Sequence, residues 1–192
     1  VWVVGNSGDI FYSGDGGLNW IRQAAGITSE NLYGIWGTGT DNIWVVGGNW
    51  TAGNTSVVLH CSSNCTNGNW GVIDVGVSGK PFRDVHGWAA NDFWIVGRDG
   101  VAVHYDGSIW SEYSGFSSNH LFGVWVDSAT RNAWAVGGST SIFSPTSEIY
   151  FYNNLNNLWS QEPFSDSITL KAVSGVNAST IWAVGSTTAG GN

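Results

Sequence analysis

The feature that most constrains this chain is a short string that returns five times. It reads apolar-Trp-apolar-Val-Gly and spans Val1–Gly5, Ile43–Gly47, Phe93–Gly97, Ala133–Gly137 and Ile181–Gly185. The tryptophans Trp2, Trp44, Trp94, Trp134 and Trp182 are 42, 50, 40 and 48 residues apart. Other markers keep step with them. A Leu- or Phe-led segment precedes four of the strings, at Leu32–Gly37, Phe82–Gly87, Leu121–Val126 and Leu170–Gly175. A short apolar segment follows the string at Asp9–Tyr12, Val57–His60, Val101–Tyr105 and Glu148–Tyr152, and a polar turn then leads to Trp20, Trp70, Trp110 or Trp159. Each period thus holds four short segments rich in Val, Ile, Trp and Tyr, broken by Gly, Asn, Asp and Ser, without helical periodicity. Four strands in every 40–50 residues is the pattern of β-propeller blades.

The expected fold is all-β: a propeller domain, or a portion of one, over residues 1–192, in units 1–31, 32–81, 82–120, 121–169 and 170–192. The strand count runs 3, 4, 4, 4 and 2, which is four blades plus part of a fifth. That count does not close a ring. The expectation is a piece of a longer propeller of about six to eight blades, with pairing of open strand edges to a neighbouring chain as the second arrangement. Length varies between Gly47 and Val57, near the two cysteines, and between Gly137 and Glu148. Turns at a rim absorb such insertions because loop-closure entropy grows slowly with length.

Charged residues make up 10% of the chain, and 14 acidic against 6 basic side chains give a net charge of −8. That field repels phosphate backbones and excludes nucleic acid as a partner. No apolar run approaches the roughly 20 residues of a membrane-spanning helix. Neither an initiator Met nor a secretory signal is present, so a processed chain or a portion of its parent is expected. Cys61 and Cys65 flank three polar residues, a spacing suited to a short disulfide across a turn. No second cysteine pair could complete a zinc site, and a redox pair would have two intervening residues and open a helix. Asn-x-Ser/Thr sequons stand at Asn49, Asn54, Asn64 and Asn177, three of them within 49–66. With the low charge and the abundance of Ser, Thr, Asn and Gly, these cues predict a secreted or cell-surface glycoprotein.

Candidate chemistry is sparse. Of 13 tryptophans, 11 recur at repeat positions and are expected to pack. Trp50 and Trp88 do not recur, and could stack on a sugar or contact a rim. His60 and His104 end equivalent third segments, His86 fills the slot of Trp36, Trp125 and Ser174, and His120 stands alone, so neither metal nor cofactor is expected. Gly5-Asn6-Ser7-Gly8-Asp9 reads as a hairpin turn. Nothing pairs Asp84, Asp92, Asp99 and Glu112 as a glycosidase would need, and Asp41 and Asp92 fall in equivalent turns.

Ser13-Gly14-Asp15-Gly16-Gly17-Leu18-Asn19-Trp20 fits the Asp-box pattern Ser/Thr-x-Asp-x-Gly-x-x-Trp/Phe, and Tyr105-Asp106-Gly107-Ser108-Ile109-Trp110 is a drifted copy. The chain resembles the Asp-box (bacterial neuraminidase repeat) propellers. It resembles more closely the secreted repeat proteins with Leu-x-Gly-Val-Trp-Gly, Trp-Ala-Val-Gly and His-Tyr-Asp-Gly-x-x-Trp units. The resemblance implies that the Asp-box turn joins the third and fourth strands of a blade, with Leu32-type strands innermost and Trp20-type strands outermost. It does not carry sialidase chemistry over. The four arginines Arg22, Arg83, Arg98 and Arg131 form no recognisable triad, and Phe82-Arg83-Asp84-Val85 departs from the family's Phe/Tyr-Arg-Ile-Pro motif. On the innermost strand the second position varies (Tyr33, Arg83, Phe122, Lys171), as does the fifth (Trp36, His86, Trp125, Ser174). A binding mouth and an empty solvated channel would show such variation equally. The expectation is an extracellular, non-catalytic binding or scaffold module. Its glycan or protein partner would meet Tyr33, Arg83, Phe122, Lys171, Trp50 and Trp88 at rim loops or a central mouth. The alternative is a glycoside hydrolase-type propeller with catalytic residues partly outside this chain.

Overall fold

A computed structural model describes residues 1–51, 53–139, 141, 145–164 and 166–187. Among these residues lie 17 strands in five antiparallel sheets. The first holds β1 (Trp2–Val4), β2 (Ile10–Tyr12) and β3 (Ile21–Gln23). The second holds β4 (Asn31–Gly39), β5 (Asn42–Gly48), β6 (Ser56–Cys61) and β7 (Gly71–Val72). β8 (Phe82–Ala89), β9 (Asp92–Gly97), β10 (Ala102–Tyr105) and β11 (Trp110–Tyr113) form the third, and β12 (His120–Val126), β13 (Ala133–Gly138), β14 (Glu148–Asn153) and β15 (Leu158–Glu162) the fourth. β16 (Thr169–Asn177) and β17 (Thr180–Ser186) form the fifth. Every sheet is a meander in which each strand pairs with the next in sequence. The expected succession of 3, 4, 4, 4 and 2 strands is therefore present.

The repeated string is the second strand of a blade, and its tryptophan has a fixed cross-strand partner. Trp2 faces Tyr12, Trp44 faces His60, Trp94 faces His104 and Trp134 faces Phe151. The ring centroids lie 4.6, 3.7, 4.5 and 5.0 Å apart. Direct cross-strand aromatic pairs of this kind stabilise a sheet, which explains why a ring closes the third segment of each unit. Ile43, Trp44, Val45 and Val46 are all buried, as are Phe93, Trp94, Ile95 and Val96. These strands are covered on both faces, so they read as unbroken apolar runs rather than as alternations.

The glycine that ends the string has a steric cause. Gly47, Gly137 and Gly185 pair with Leu32, Leu121 and Leu170 on the neighbouring first strand. A Cβ at these glycines would lie 2.0, 2.0 and 2.3 Å from the carbonyl oxygens of Asn31, His120 and Thr169. Immediately beyond each of those leucines the register slips by one residue, leaving Tyr33, Phe122 and Lys171 as the extra residues of β-bulges.

The chain forms two compact units, Val1–Val85 and His86–Asn192, divided within β8. Each is built on the same plan. The first complete second-to-third connection in each unit is a tight turn with left-handed residues, Ser7 (φ 56°) and Gly8 in one, Asp99 (φ 55°) and Gly100 in the other. The next connection is long and leaves from Gly48 or Gly138, both at φ 144°. Both long connections are closed by a threonine hydroxyl accepting a backbone N–H, Asn49 to Thr55 at 3.2 Å and Ser139 to Thr146 at 3.0 Å.

Candidate functional site

The second position of the first strand gathers into two equivalent pairs, one in each unit. In the first unit the Arg83 guanidinium lies 4.3 Å from the ring centre of Tyr33 and 4.9 Å from that of Trp50. Trp50 comes from the long β5–β6 connection, and the Tyr33 hydroxyl accepts a long hydrogen bond from Asn31 Nδ2 at 3.4 Å. In the second unit Lys171 Nζ stands 3.8 Å over the ring centre of Phe122, which is buried and meets His120 edge-on at 6.0 Å. Tyr33 corresponds to Phe122 and Arg83 to Lys171, each cation reaching back onto the aromatic of the preceding first strand. At Tyr33, Phe122 and Lys171 a bulge creates the geometry. The extra residue breaks the two-residue alternation and re-aims its side chain. Cation over ring face is attractive through the ring quadrupole. Burial draws the Arg83 pKa down and the neighbouring Tyr33 opposes that shift, while the guanidinium remains charged.

Close backbone approach supports both pairs. A Cβ on Gly34 would lie 2.9 Å from Asp84 Cα, and one on Gly123 would lie 3.0 Å from Ala172 Cα. The first strands therefore pack on one another within each unit, whereas the strands carrying the Trp20-type markers lie at the opposite, solvent-facing edge.

The other predicted residues fall elsewhere. Trp88 lies toward the far end of β8 from Arg83, about 17 Å away at ordinary strand rise. It carries the Arg131 guanidinium at 4.2 Å from its ring centre, so it does not belong with the four second-position residues. At the fifth position His86 and Trp125 pack, whereas Trp36 is half-buried and Ser174 exposed. The His86 ring Nδ1 accepts the Val126 N–H at 3.0 Å, and burial pulls its pKa down to about 4. Trp125 is buried where a Cβ on Gly175 would strike its ring at 2.9 Å. The sequon asparagines Asn49, Asn54 and Asn64 lie in turns and loops, and Asn177 ends β16. Asn64 and Asn177 are exposed, Asn54 is half-buried, and Asn49 Oδ1 accepts the N–H and hydroxyl of Thr51 at 2.9 and 3.0 Å. Cys61 and Cys65 form a disulfide, with Cα atoms 5.6 Å apart, that ties the end of β6 to the following turn.

The Ser13–Trp20 turn is a closed hydrogen-bond system. Asp15 accepts from the Asn19 backbone at 2.9 Å, from its side chain at 2.7 Å and from the Ser13 hydroxyl at 2.7 Å, and the Trp20 indole donates to Gly17 O at 3.0 Å. The Asn19 bonds, then that of Ser13, hold the Asp15 carboxyl well below the usual range. At Asp106 the N–H groups of Ser108 and Ile109 both donate at 2.9 Å, so this turn uses its aspartate in the same way.

Carboxylates that a hydrolase would need are dispersed. Asp92 accepts from His104 at 2.8 Å, and the corresponding bond in the preceding blade joins His60 to Asn42, also at 2.8 Å. A neutral amide serves as well as a carboxylate at that position, so the His–Asp contact is architectural. Asp92 opens β9 and Asp99 lies beyond its other end, roughly 17 Å away by strand rise, against about 5–9.5 Å in glycosidase pairs. Asp84 Oδ1 accepts the Val85 N–H at 2.9 Å, and Glu112 lies on the outer strand β11. Among the described residues no three His, Cys, Asp or Glu side chains gather as a metal site would need, and no helix is long and apolar enough to cross a membrane.

No protein-family model matches the sequence, and no curated protein matches it either. Among the solved structures similar to the chain are two of YCF48. That of YCF48 bound to D1 peptide is 15% identical with a TM-score of 0.66 over 96% of this chain and 56% of its own. That of YCF48 from Cyanidioschyzon merolae is 14% identical with a TM-score of 0.65 over 96% of this chain and 60% of its own. This chain thus spans less than two thirds of the length of either, and at such low identity the likeness speaks for fold alone. With the five meanders and their register, it establishes that the chain folds as β-propeller blades, about four of them and part of a fifth among the described residues, the first sheet holding three strands.

Proposed function

We propose that this chain is a non-catalytic binding and scaffold module that works outside the cell and takes a protein partner at the bulged ends of its first strands. The observation that carries the reading is the pair of equivalent cation–aromatic contacts, Arg83 with Tyr33 and Trp50, and Lys171 with Phe122. Such positions vary in side chain on a constant frame, as binding positions on a rigid scaffold do. One propeller neighbour, YCF48, is bound to D1 peptide, which is consistent with a peptide or protein as the partner class. The disulfide and the four sequons, Asn49, Asn54, Asn64 and Asn177, favour an oxidising, extracellular setting. The Ser13–Trp20 turn supports kinship with the Asp-box propellers.

Glycan binding is the less favoured version, because one face of each of the Tyr33, Trp50 and Phe122 rings already carries a cation. The test exposes the native, unreduced chain to a peptide library, a glycan array and a polysaccharide panel assayed for reducing ends. Peptide binding without turnover is the expected result. Glycan binding alone would replace the protein partner, and release of reducing ends would overturn the module in favour of a glycoside hydrolase.

A further inference from the structure

We propose that the second unit carries a site for a neutral sugar on its outer rim, in the groove between β11 and the turn that joins β14 to β15. The site is separate from the first-strand ends and does not depend on the protein-partner reading. The groove holds about 380 Å³ and is lined by Tyr113, Phe116 and Trp159 together with Glu112, Ser114 and Asn157. A cleft of that size, combining rings with a few polar groups, is the ordinary form of a small-ligand site.

The groove is open because the chain is shorter here than in the first unit. His60 and Phe151 each face a repeat tryptophan, but Trp70 follows His60 by ten positions and Trp159 follows Phe151 by eight. In the first unit the longer connection folds as the turn Cys65–Gly68 against Gln23. The Gln23 carboxamide donates to the Cys65 and Thr66 carbonyls at 3.0 and 2.9 Å, and a Cβ on Gly68 would lie 3.3 Å from Gln23 Cβ. The second unit lacks the residues for such a turn, and Tyr113, in the place of Gln23, faces open space.

The aromatic wall is held in place. Phe116 and Trp159 stack with ring centres 5.3 Å apart and planes 5° from parallel, and Trp94 meets Trp159 at 5.0 Å and Tyr113 at 5.1 Å. The C–H face of a pyranose packs on such rings, and side chains already fixed lose little freedom when it arrives. The polar groups are fixed too. Asn157 is in the left-handed region at φ 58°, and its Oδ1 accepts the Tyr152 hydroxyl at 2.9 Å. That bond orients the carboxamide and leaves Nδ2 without a protein partner among the described residues, as is the Ser114 hydroxyl. Glu112 supplies acceptor oxygens. Donors and acceptors beside an aromatic wall match a ligand with hydroxyls at its rim and C–H groups on its faces.

Charge selects among sugars. No Lys or Arg lines the groove, and residues 86–192 carry eight Asp and Glu against three Lys and Arg. An acidic sugar is repelled by that field and a neutral one is not. The rings of Tyr33, Trp50 and Phe122 carry cations, whereas among the described residues none lies on Tyr113, Phe116 or Trp159. β11 and β15 are the outer strands of their sheets, with the first strands at the other edge, so sugar and peptide would not compete.

The experiment titrates the intact, disulfide-bonded chain with neutral tetrasaccharides of glucose, N-acetylglucosamine, mannose and galactose, and with a uronic acid oligomer as the acidic control. NMR follows the Trp159 indole N–H and the Asn157 side-chain amide. The expected result is saturable shifts of both signals with at least one neutral sugar, while signals of Tyr33, Trp50 and Phe122 stay in place. Asn157→Asp keeps an acceptor for Tyr152 and removes the donor, so affinity should fall about fivefold or more. Ser114→Trp, at an exposed position, should block the groove and abolish binding. Unmoved backbone signals of the Trp94 strand in both variants separate a lost site from a lost fold.

No shift of Trp159 or Asn157 with any neutral sugar up to about 10 mM would overturn the site. Unchanged affinity in both variants would do the same, as would library peptides shifting Trp159 where sugars do not. Tighter binding of the uronic acid oligomer would overturn the choice of a neutral ligand. Each of these results leaves peptide binding at the first strands standing, and sugar binding with no peptide binding would overturn that reading and leave the groove.

Discussion

Gln23 and Tyr113 occupy the same place in the two units and satisfy it differently. The buried Gln23 carboxamide accepts from the indoles of Trp2 and Trp70 at 3.3 and 3.2 Å and donates to the carbonyls of Cys65 and Thr66 at 3.0 and 2.9 Å. One side chain thereby answers four polar groups and ties the end of β3 to the disulfide turn. At Tyr113 the same neighbourhood is aromatic. Trp94 meets Tyr113 at 5.1 Å, Tyr152 at 4.5 Å and Trp159 at 5.0 Å, and the buried Trp159 indole N–H finds no acceptor among the described residues. Replacing Gln23 by Leu should cost about 2–3 kcal/mol, because the two indoles lose their shared acceptor in a buried setting. Urea unfolding of Gln23→Leu beside the parent chain reads this directly. A loss below about 0.5 kcal/mol, the range of ordinary surface changes, would mean that water takes over the four partners.

At the scale of the element, the decisive device is the bulge that begins the first strand of the second, fourth and fifth sheets. It displaces Tyr33, Phe122 and Lys171 from the alternation and presses the preceding carbonyl against the glycine of the second strand. Gly137→Ala should therefore destabilise the chain by about 2 kcal/mol or more, since its Cβ would meet rigid backbone rather than a yielding side chain. Gly5 offers the control. It ends the same string, but nothing stands within 4 Å of its added Cβ, so Gly5→Ala should be near neutral. Thermal melts of the two variants side by side test the explanation. Equal losses would show that the glycine serves backbone conformation rather than close approach.

For the whole molecule, a largely buried histidine sets part of the response to acid. The His86 Nδ1 accepts from Val126, and its pKa falls to about 4 in the folded chain against about 6.5 when unfolded. The folded state excludes a proton that the unfolded chain accepts. Its contribution is therefore complete above about pH 6.5 and is lost as the pH falls toward 4, amounting to roughly 3 kcal/mol across that window. Replacing His86 by Asn keeps an acceptor for Val126 and removes the titration. Urea midpoints measured from pH 7 to pH 4 should fall less steeply in His86→Asn than in the parent. Parallel slopes would place the acid sensitivity elsewhere.

Much of this is legible in the residues and some is not, for reasons visible at particular positions. The tryptophan strings and their flanking segments foretell the strands, because a strand covered on both faces must be apolar throughout and a turn must be polar. Cys61 and Cys65 can be paired because the short stretch of chain between them confines their separation. Grouping Trp88 with Arg83 is the natural reading of two unusual side chains on one strand, yet the length of β8 puts them toward opposite ends. The turn that joins the first and second strands falls where its polar residues predict, but its bonding residues are Asn42 and Asp92, each reaching a histidine on the adjacent third strand. Asn42 and Asp92 each stand two residues before a repeat tryptophan, so it is Asn42 rather than Asp41 that corresponds to Asp92.

What the sequence determined by itself was periodic: four strands to a blade, the recurring tryptophans, and the polar turns between them, all written by burial and by the steric rules of short segments. The tertiary structure alone decided where the non-periodic side chains point. A bulge adds one residue to a strand without leaving a mark in the order of amino acids, and its consequence depends on a glycine further along the chain and on the next first strand. That is why the second-position residues became two cation–aromatic pairs, while at the equally variable fifth position His86 and Trp125 became packing.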